Sequence, residues 1–338
     1  MLAILWQVNE MTNLRAGIIG LGMMGSNHAR ILLNLEGVEL VGVADSHREF
    51  NKPSHNYKTL NRISDLIDLD LDYCIISAPT IFHEEIALEL IRNGIHFLIE
   101  KPIASNLASA KKIREAAEIG KVMGAVGHIE RFNSALIEAR KRIAAGELGT
   151  IYQVATRRQG PFPDRISDVG VIKDLATHDI DLTSWLTQKK YLQVSANAAF
   201  RTGRHYEDLI SVTGLLEESI VVNHIVNWLS PLKERKVIIT GEKGTFVVDT
   251  LSADLTYHEN GKTHILQNEI AHFRGVTQGE IKILAFEKPE PLLVEHQNFR
   301  DSVLGKPSNN VSLQDGVMTL QIAEAIIESY SSKSVIQL

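Results

Sequence analysis

The spacing of apolar and polar positions changes along the chain, and two patterns result. In the first part, short apolar runs alternate with stretches of helical period. "RAGIIG" (15–20) reads as a buried strand and "MMGSNHARILLNL" (23–35) as a helix. "VELVGVAD" (38–45) and "DYCIISA" (72–78) read as strands, and "FHEEIALELIRNG" (82–94) as a helix. Strand "HFLIE" (96–100), helix "NLASAKKIREAAEIG" (106–120) and strand "VMGAVGH" (122–128) follow. Strand and helix in turn predict right-handed parallel crossovers and a doubly wound sheet.

In the second part the period falls to two. After a helix near 133–145 come "TIYQVATRRQ", "LQVSANAAF", "DLISVTGLL", "SIVVNHIVNW", "KVIITG" and "GTFVVDT", β-rich segments joined by turns. They predict a mostly antiparallel sheet, interrupted by one helix over 170–187. Two more helices are predicted at 292–305 and 313–330. The expected organisation is therefore α/β: a dinucleotide-binding domain over 12–130, then an α+β domain over 131–338 with a large open sheet. The C-terminal helices are free to return to the first domain.

The helix over 170–187 carries a polar group on its apolar side. In "GVIKDLATHDIDL" (170–182), at about 100° per residue, Asp174, His178 and Asp181 fall within roughly 60° of one another. Val171, Leu175 and Leu182 fall on the adjoining arc. Two readings stay open at this level: a solvated face with an i,i+4 hydrogen bond, or the wall of a site.

Length and composition narrow the class. The 338 residues suffice for two domains, and 44% apolar with 22% charged residues is ordinary for a globular protein. The net charge of −6 without a long basic run speaks against nucleic acid as partner. No stretch is long and apolar enough to span a bilayer. The start, "MLAILWQVNEMTNLRAGIIG", lacks a basic leader and a cleavage signal; it reads as an extension, with Met11 as an alternative start. The single cysteine, Cys74, lies in an apolar strand, which excludes an internal disulfide framework. A cytoplasmic location is the expectation. The 13 histidines form no H-E-x-x-H or comparable ligand pattern, so no metal is expected.

"GIIGLGMMG" places Gly20, Gly22 and Gly25 in G-x-G-x-x-G spacing, after a strand and at the opening of a helix. The first glycine permits the turn and the second lets backbone approach a pyrophosphate. The third lets helix pack on strand, and the helix N-terminus supplies N–H groups to the anion. About 20 residues on, at the end of the second strand, stands Asp45, placed to take the ribose hydroxyls of NAD. His47 and Arg48 follow closely, which leaves NADP open. "IEKPIA" sets Glu100, Lys101 and Pro102 at the carboxyl end of a strand, where doubly wound sheets bind ligands.

Taken together, "GIIGLGMMGSNHAR", "SAPTIFHEEIALELIRNGIHFLIEKPIA" and "GVIKDLATHDIDL" resemble the glucose–fructose oxidoreductase/inositol dehydrogenase (Gfo/Idh/MocA) family, in family order over about residues 14–330. The resemblance implies a Rossmann domain, an open C-terminal sheet that forms a homodimer or homotetramer contact, and an NAD(P)-dependent sugar dehydrogenase. It implies a sugar pocket lined by Lys101, Asp174 and His178 beside the nicotinamide. Gly20, Leu21, Gly22, Met23, Met24, Gly25, Asp45, Ser46, Ala78, Pro79, Thr80, His83, Glu100 and Lys101 are the implied cofactor contacts. His83, alone, reads equally as a surface histidine. The usual glycine pair before the helix is here Val169–Gly170.

In the implied reaction a sugar carbon gives hydride to nicotinamide while its hydroxyl loses a proton. His178 is the first choice of base, with Asp174 orienting the imidazole or bonding a hydroxyl, and Lys101 stabilising charge on the oxygen. Lys101 as base is the alternative. Asp179 points away and is expected to be structural. "GHIERFN" (127–133) and the loop "RRQGPFPDRISDVG" (157–170) resemble the branch that oxidises C3 of UDP-N-acetylhexosamines or their uronic acids. Arg131 and Asn133 would then line the pocket, with Arg158 and Arg165 toward a diphosphate or carboxylate; a basic loop in salt bridges is the plain alternative. A free-sugar or inositol dehydrogenase, and a non-catalytic nucleotide-binding regulator, are the competing functions.

Overall fold

The computed structural model describes residues 13–46, 56–162, 169–261 and 277–338. The chain divides into two units: 1–100 with 112–127 and 295–310, and 101–111 with 128–294 and 311–338. The chain crosses between them at several points, one of them between Gly127 and His128.

The first unit is built on β1 (Leu14–Ile19), α1 (Met23–Leu32), β2 (Val38–Ala44), β3 (Lys58–Leu60), α2 (Ile63–Ile67), β4 (Tyr73–Ile76), α3 (His83–Arg92), β5 (His96–Glu100), α4 (Leu107–Gly120, from residue 112 on) and β6 (Gly124–Gly127). Its sheet runs in the order β3-β2-β1-β4-β5-β6, every neighbouring pair parallel. This is the doubly wound dinucleotide-binding order. All four residues of β4 are buried, as expected of a strand covered on both faces. In α3, Ile86, Ala87, Leu90 and Ile91 form the buried stripe, with Glu84 and Glu85 in the first turn and Arg92 in the last, matching the helix dipole. β3 and α2 carry no clear period and escaped the sequence pattern.

The second unit holds α5 (Ser134–Ala144), β7 (Ile151–Pro161), α6 (Thr177–Thr187), β8 (Tyr191–Ala199), β9 (Leu209–Leu216), β10 (Val221–Asn227), β11 (Leu229–Gly241), β12 (Gly244–Asp249), β13 (Asp254–Gly261), β14 (Thr277–Leu284), α7 (Pro291–Val303), α8 (Leu313–Ser332) and β15 (Ile336–Gln337). Residues 295–303 of α7 belong to the first unit, where Phe299 meets Tyr73 edge-on at 5.4 Å. The sheet has nine strands, β14-β13-β12-β11-β7-β10-β9-β8-β15, antiparallel except β7 beside β10. Val154, Val212, Val222, Ile239 and Phe246 face inward with Ile180 and Leu182 of α6 and Ile322 and Ile326 of α8 in one core. Ser312 and Asp315 close a capping box at the start of α8.

Two expectations need correction. β7 continues through Pro161, so Arg157 and Arg158 lie on a strand, not in a loop. Strand alternation then sends Arg157 outward and Arg158 inward. The helix expected over 170–187 opens instead as a π-helical turn, Ile172–Ala176, before α6 begins at Thr177. A wider turn rotates each residue less, so the common arc drawn through Asp174, His178 and Asp181 does not hold.

Candidate active site

In the first unit the glycine turn is shaped by contacts that exclude side chains. Gly20 has φ of +92°, and a Cβ there would meet the Ala78 nitrogen at 2.6 Å. A Cβ at Gly25 would lie 2.0 Å from the Gly20 carbonyl oxygen. Around Gly22, by contrast, a Cβ would meet nothing within 4 Å, and the residue is exposed. Gly22 caps α1 without a side-chain bond, so the amides of Met23 and Met24 open a helix N-terminus beside that space. Asp45 Oδ2 accepts from the Leu21 amide at 2.8 Å, which ties the end of β2 to the turn. These features fit a dinucleotide whose pyrophosphate approaches Gly22 and whose ribose approaches Asp45. Ser46, also expected here, follows Asp45 as an exposed turn residue.

Ser77, which sequence reasoning passed over, braces the turn. Its hydroxyl reaches the Gly20 carbonyl at 2.7 Å and the Ile19 carbonyl at 3.2 Å. After it, Pro79 and Thr80 lead into α3, and His83 is buried with Nε2 2.9 Å from the Ala78 carbonyl. His83 therefore braces the Ala78–Thr80 segment from inside. Glu100 accepts from His28 Nε2 at 3.0 Å, and His28 Nδ1 lies 2.8 Å from His296 Nε2. Next to His296, Glu295 is buried with both carboxyl oxygens lacking a hydrogen bond. Burial, with Glu100 nearby, pushes its carboxyl well above the usual range, while burial and His28 hold His296 well below that of histidine.

The second unit brings together Lys101, Asp174 and His178. Lys101 Nζ donates to the backbone carbonyl of Asp174 at 2.7 Å and to its Oδ1 at 3.0 Å. Both side chains are largely enclosed, at 15% and 5% exposure. Asp174 Oδ2 is buried without a partner, and so is His178 Nδ1. Although part of His178 reaches solvent, Nδ1 does not. Desolvation first, then the positive charges of Lys101 and Arg158, hold its pKa well below the usual value. Of the two parts expected of Asp174, orienting the imidazole or bonding a hydroxyl, the first has no hydrogen bond to His178 behind it here: Oδ1 is bound to Lys101 and Oδ2 has no partner.

Three further expected substrate residues, Arg158, Arg131 and Asn133, make bonds within the chain. Arg158 is enclosed and donates to Glu130 at 2.6 Å and to Asp179 at 3.0 Å. Arg131 forms a two-pronged bond to Asp181, with distances of 2.8 and 2.6 Å. Asn133 caps α5 by accepting from Ala135 and donates to the Thr250 carbonyl at 3.0 Å. Asp179 is structural as expected, and Asp181 serves Arg131. Arg165 lies outside the described residues. The residue that sequence missed is Arg235. It pairs with Arg158 across the inner face of the sheet, and its Nη1 donates to the carbonyls of Gln159 and Glu234. Asp179, Glu130 and Asp174 act on its charge, and among the described residues no carboxylate comes within salt-bridge distance of it. No helix among the described residues is long and apolar enough to cross a membrane, and no three metal-ligating side chains gather.

Comparison with known proteins points to one family. A model of the Gfo/Idh/MocA oxidoreductase family, NAD-binding Rossmann fold, matches residues 14–128, and that family's C-terminal domain matches 136–247. Inositol 2-dehydrogenase of Salmonella typhimurium (strain LT2) is 27% identical over 332 residues, 94% of each chain. The solved UDP-N-acetylglucosamine 3-dehydrogenase GnnA of Acidithiobacillus ferrooxidans superposes with a TM-score of 0.81 at 22% identity, covering 95% of this chain and 98% of that one. The WlbA dehydrogenase of Bordetella pertussis, solved with NADH and UDP-GlcNAcA, gives 0.79 at 23% identity, covering 96% and 99%. At these identities the two structures speak for the fold.

Proposed function

The chain belongs to the Gfo/Idh/MocA family of NAD-binding oxidoreductases, and from that premise we propose that it oxidises a ring alcohol of a sugar at Lys101, Asp174 and His178. C3 of a UDP-N-acetylhexosamine, or of its uronic acid, is the first-choice position. The observation that carries the reading is the pair of hydrogen bonds from Lys101 to Asp174 beside an imidazole whose Nδ1 is enclosed and unpaired. When bound, NAD supplies the hydride acceptor at C4 of its nicotinamide.

The chain's own groups handle the proton and the charge. Lys101, whose Nζ already donates to a carboxylate and a carbonyl, is placed to donate to the reacting oxygen and to stabilise negative charge there. His178, held neutral by burial and by neighbouring cations, is unprotonated at neutral pH and can accept the hydroxyl proton. That division favours His178 as base over Lys101. Arg235 takes the part expected of Arg158: a guanidinium near Asp174 and His178 with no carboxylate of its own among the described residues, suited to a uronate or other anionic group.

A second reading, a free-sugar or inositol dehydrogenase, is favoured by the nearly full-length inositol dehydrogenase relative and by the internal engagement of Arg131, Asn133 and Arg158. Both readings are tested by mixing purified protein with NAD and single candidate sugars and following the reduced-nicotinamide absorbance. Turnover of UDP-N-acetylglucosamine or its uronic acid, with none of glucose or inositol, supports the first. Turnover of inositol alone supports the second, and none with any sugar in either direction contradicts both.

The same proposal places a homodimer or homotetramer contact on the outward face of the nine-stranded sheet. Ala155, Leu215, Val221, Ile225, Ile238 and Val247 share that face through the strand registers. Val221 and Ile225 are 41% and 40% exposed in the single chain, unusual for the middle of a sheet. Light scattering should give a mass above one chain, reduced in Ile225→Lys; a monomeric wild type would overturn the contact. In keeping with the absence of a membrane-crossing helix among the described residues, the proposed setting is the cytoplasm.

A further inference from the structure

The π-helical turn that carries Asp174 is held from outside by the segment between β8 and β9. Glu207 is 4% exposed, and its Oε1 accepts from the Ile172 amide at 2.9 Å. Its backbone carbonyl accepts from the Val171 amide at 3.0 Å. Two of the amides at the opening of the helix, which have no partner inside it, are thus satisfied by one residue. The fit demands a glycine: a Cβ at Gly170 would stand 2.1 Å from Glu207 Oε1. The clasp is itself fixed. Arg204 Nη2 donates to the Val169 carbonyl at 3.1 Å, and Asp208 accepts from the Arg201 and Thr202 amides at 2.6 and 2.9 Å. The Asp174 amide then donates to the Gly170 carbonyl at 3.1 Å, and Asp174 turns both its carbonyl and its carboxylate to Lys101.

We propose that Glu207 is a positioning residue for the reaction: its carboxyl oxygen on the Ile172 amide, seated against side-chain-free Gly170, sets the turn that presents two oxygens of Asp174 to Lys101. The inference rests on the reading of Lys101 and Asp174 as active-site residues. The Asp174 carbonyl lies in this widened turn, and Lys101 Nζ reaches it at 2.7 Å. What Glu207 contributes is an acceptor, not a charge. Burial raises its carboxyl above the ordinary value, in keeping with an oxygen chosen for its lone pair.

Three variants test this: Glu207→Ala, Glu207→Gln and Gly170→Ala. Glu207→Ala should lower kcat about 100-fold, the cost of a misplaced catalytic group, with KM for NAD unchanged. Glu207→Gln, which keeps the acceptor, should recover most of that loss. Gly170→Ala should lose as much as Glu207→Ala, yet cost nothing further when added to it, because the clash is with the carboxyl group. A readout without turnover accompanies these: acylation of Lys101 by acetic anhydride, followed by mass spectrometry of its peptide, should speed up several-fold in Glu207→Ala and not in Glu207→Gln. Equal losses in the Ala and Gln variants, additive effects at 170 and 207, or unchanged Lys101 acylation in Glu207→Ala would overturn the proposal. Should wild type turn over no sugar, the functional reading fails while acylation still decides the role of Glu207.

Discussion

Arg158→Met separates a structural arginine from a ligand-binding one. Arg158 is 3% exposed and is the cation common to Glu130 and Asp179. Methionine keeps much of the volume and leaves two carboxylates behind. Glu130 is less enclosed and can turn to solvent; Asp179, at 1%, cannot. The native pair is already unequal. Two carboxylates hold the guanidinium above its ordinary range, while burial raises the Asp179 carboxyl despite the guanidinium. Without Arg158, Asp179 escapes a buried charge by taking up a proton. At pH 7, against an unfolded value of 3.8, this costs at most about 4 kcal/mol. Breaking buried pairs costs about 3–5 kcal/mol in general. We therefore expect a loss of about 3–4 kcal/mol, read from urea unfolding at pH 7. A raised acid binds its proton more tightly in the folded state, so the deficit shrinks as pH falls toward 3.8, by about 1.4 kcal/mol per unit. Asp179→Asn in the same chain should restore most of the loss. An Arg158→Met protein of unchanged stability but with a raised KM for a nucleotide sugar would refute this reasoning and return Arg158 to the ligand.

Glu295 is buried without a hydrogen bond and its carboxyl is raised, so it opposes folding once pH exceeds the unfolded value of 4.5; Glu295→Gln should unfold at higher urea than wild type at pH 8, with the gain vanishing near pH 4.5. His224 sits between Thr156 and Tyr191, and burial lowers its pKa to about 4 from 6.5. Its contribution is complete above pH 6.5 and is lost as pH falls to 4, about 3 kcal/mol in all, with His178 and His296 adding to the same acid limb; urea midpoints that stay flat from pH 7 to 4 would contradict it. Arg235→Gln should raise KM for an anionic sugar about tenfold or more and leave KM for NAD alone, because a lost charged hydrogen bond is worth about 1.5–3 kcal/mol; an equal effect on a neutral sugar would count against an anion contact.

How far the sequence could be read follows from how local each determinant is. The glycine turn and Asp45 depend on a strand, a turn and a helix in immediate succession, and period and spacing suffice to place them. The pairing of Lys101 with Asp174 was legible only through the family pattern, since 73 positions separate them. Errors gathered where local rules stop. The wheel through Asp174, His178 and Asp181 assumed an α-helix, but Glu207, more than 30 positions downstream, holds a wider turn there. Arg158 looked like a loop arginine because Gly160 and Pro161 follow it, whereas the neighbouring strands β10 and β11 carry β7 through both. The bonds of Arg131 and Asn133 to Asp181 and the Thr250 carbonyl were not legible, because those partners are not adjacent in sequence. Arg235 stands in a charged run, "LKERK", with nothing local to single it out.

The central claim is tested most directly by following deuterium from sugar to cofactor. UDP-N-acetylglucosamine and its uronic acid, each with deuterium on C3, are incubated with the protein and NAD, and the reduced nicotinamide is analysed by mass spectrometry. The account predicts one deuterium in the nicotinamide ring with the wild-type chain and none with Lys101→Met, although that variant still binds NAD. Reduced nicotinamide without deuterium from a C3-labelled substrate, or full transfer in Lys101→Met, would contradict it.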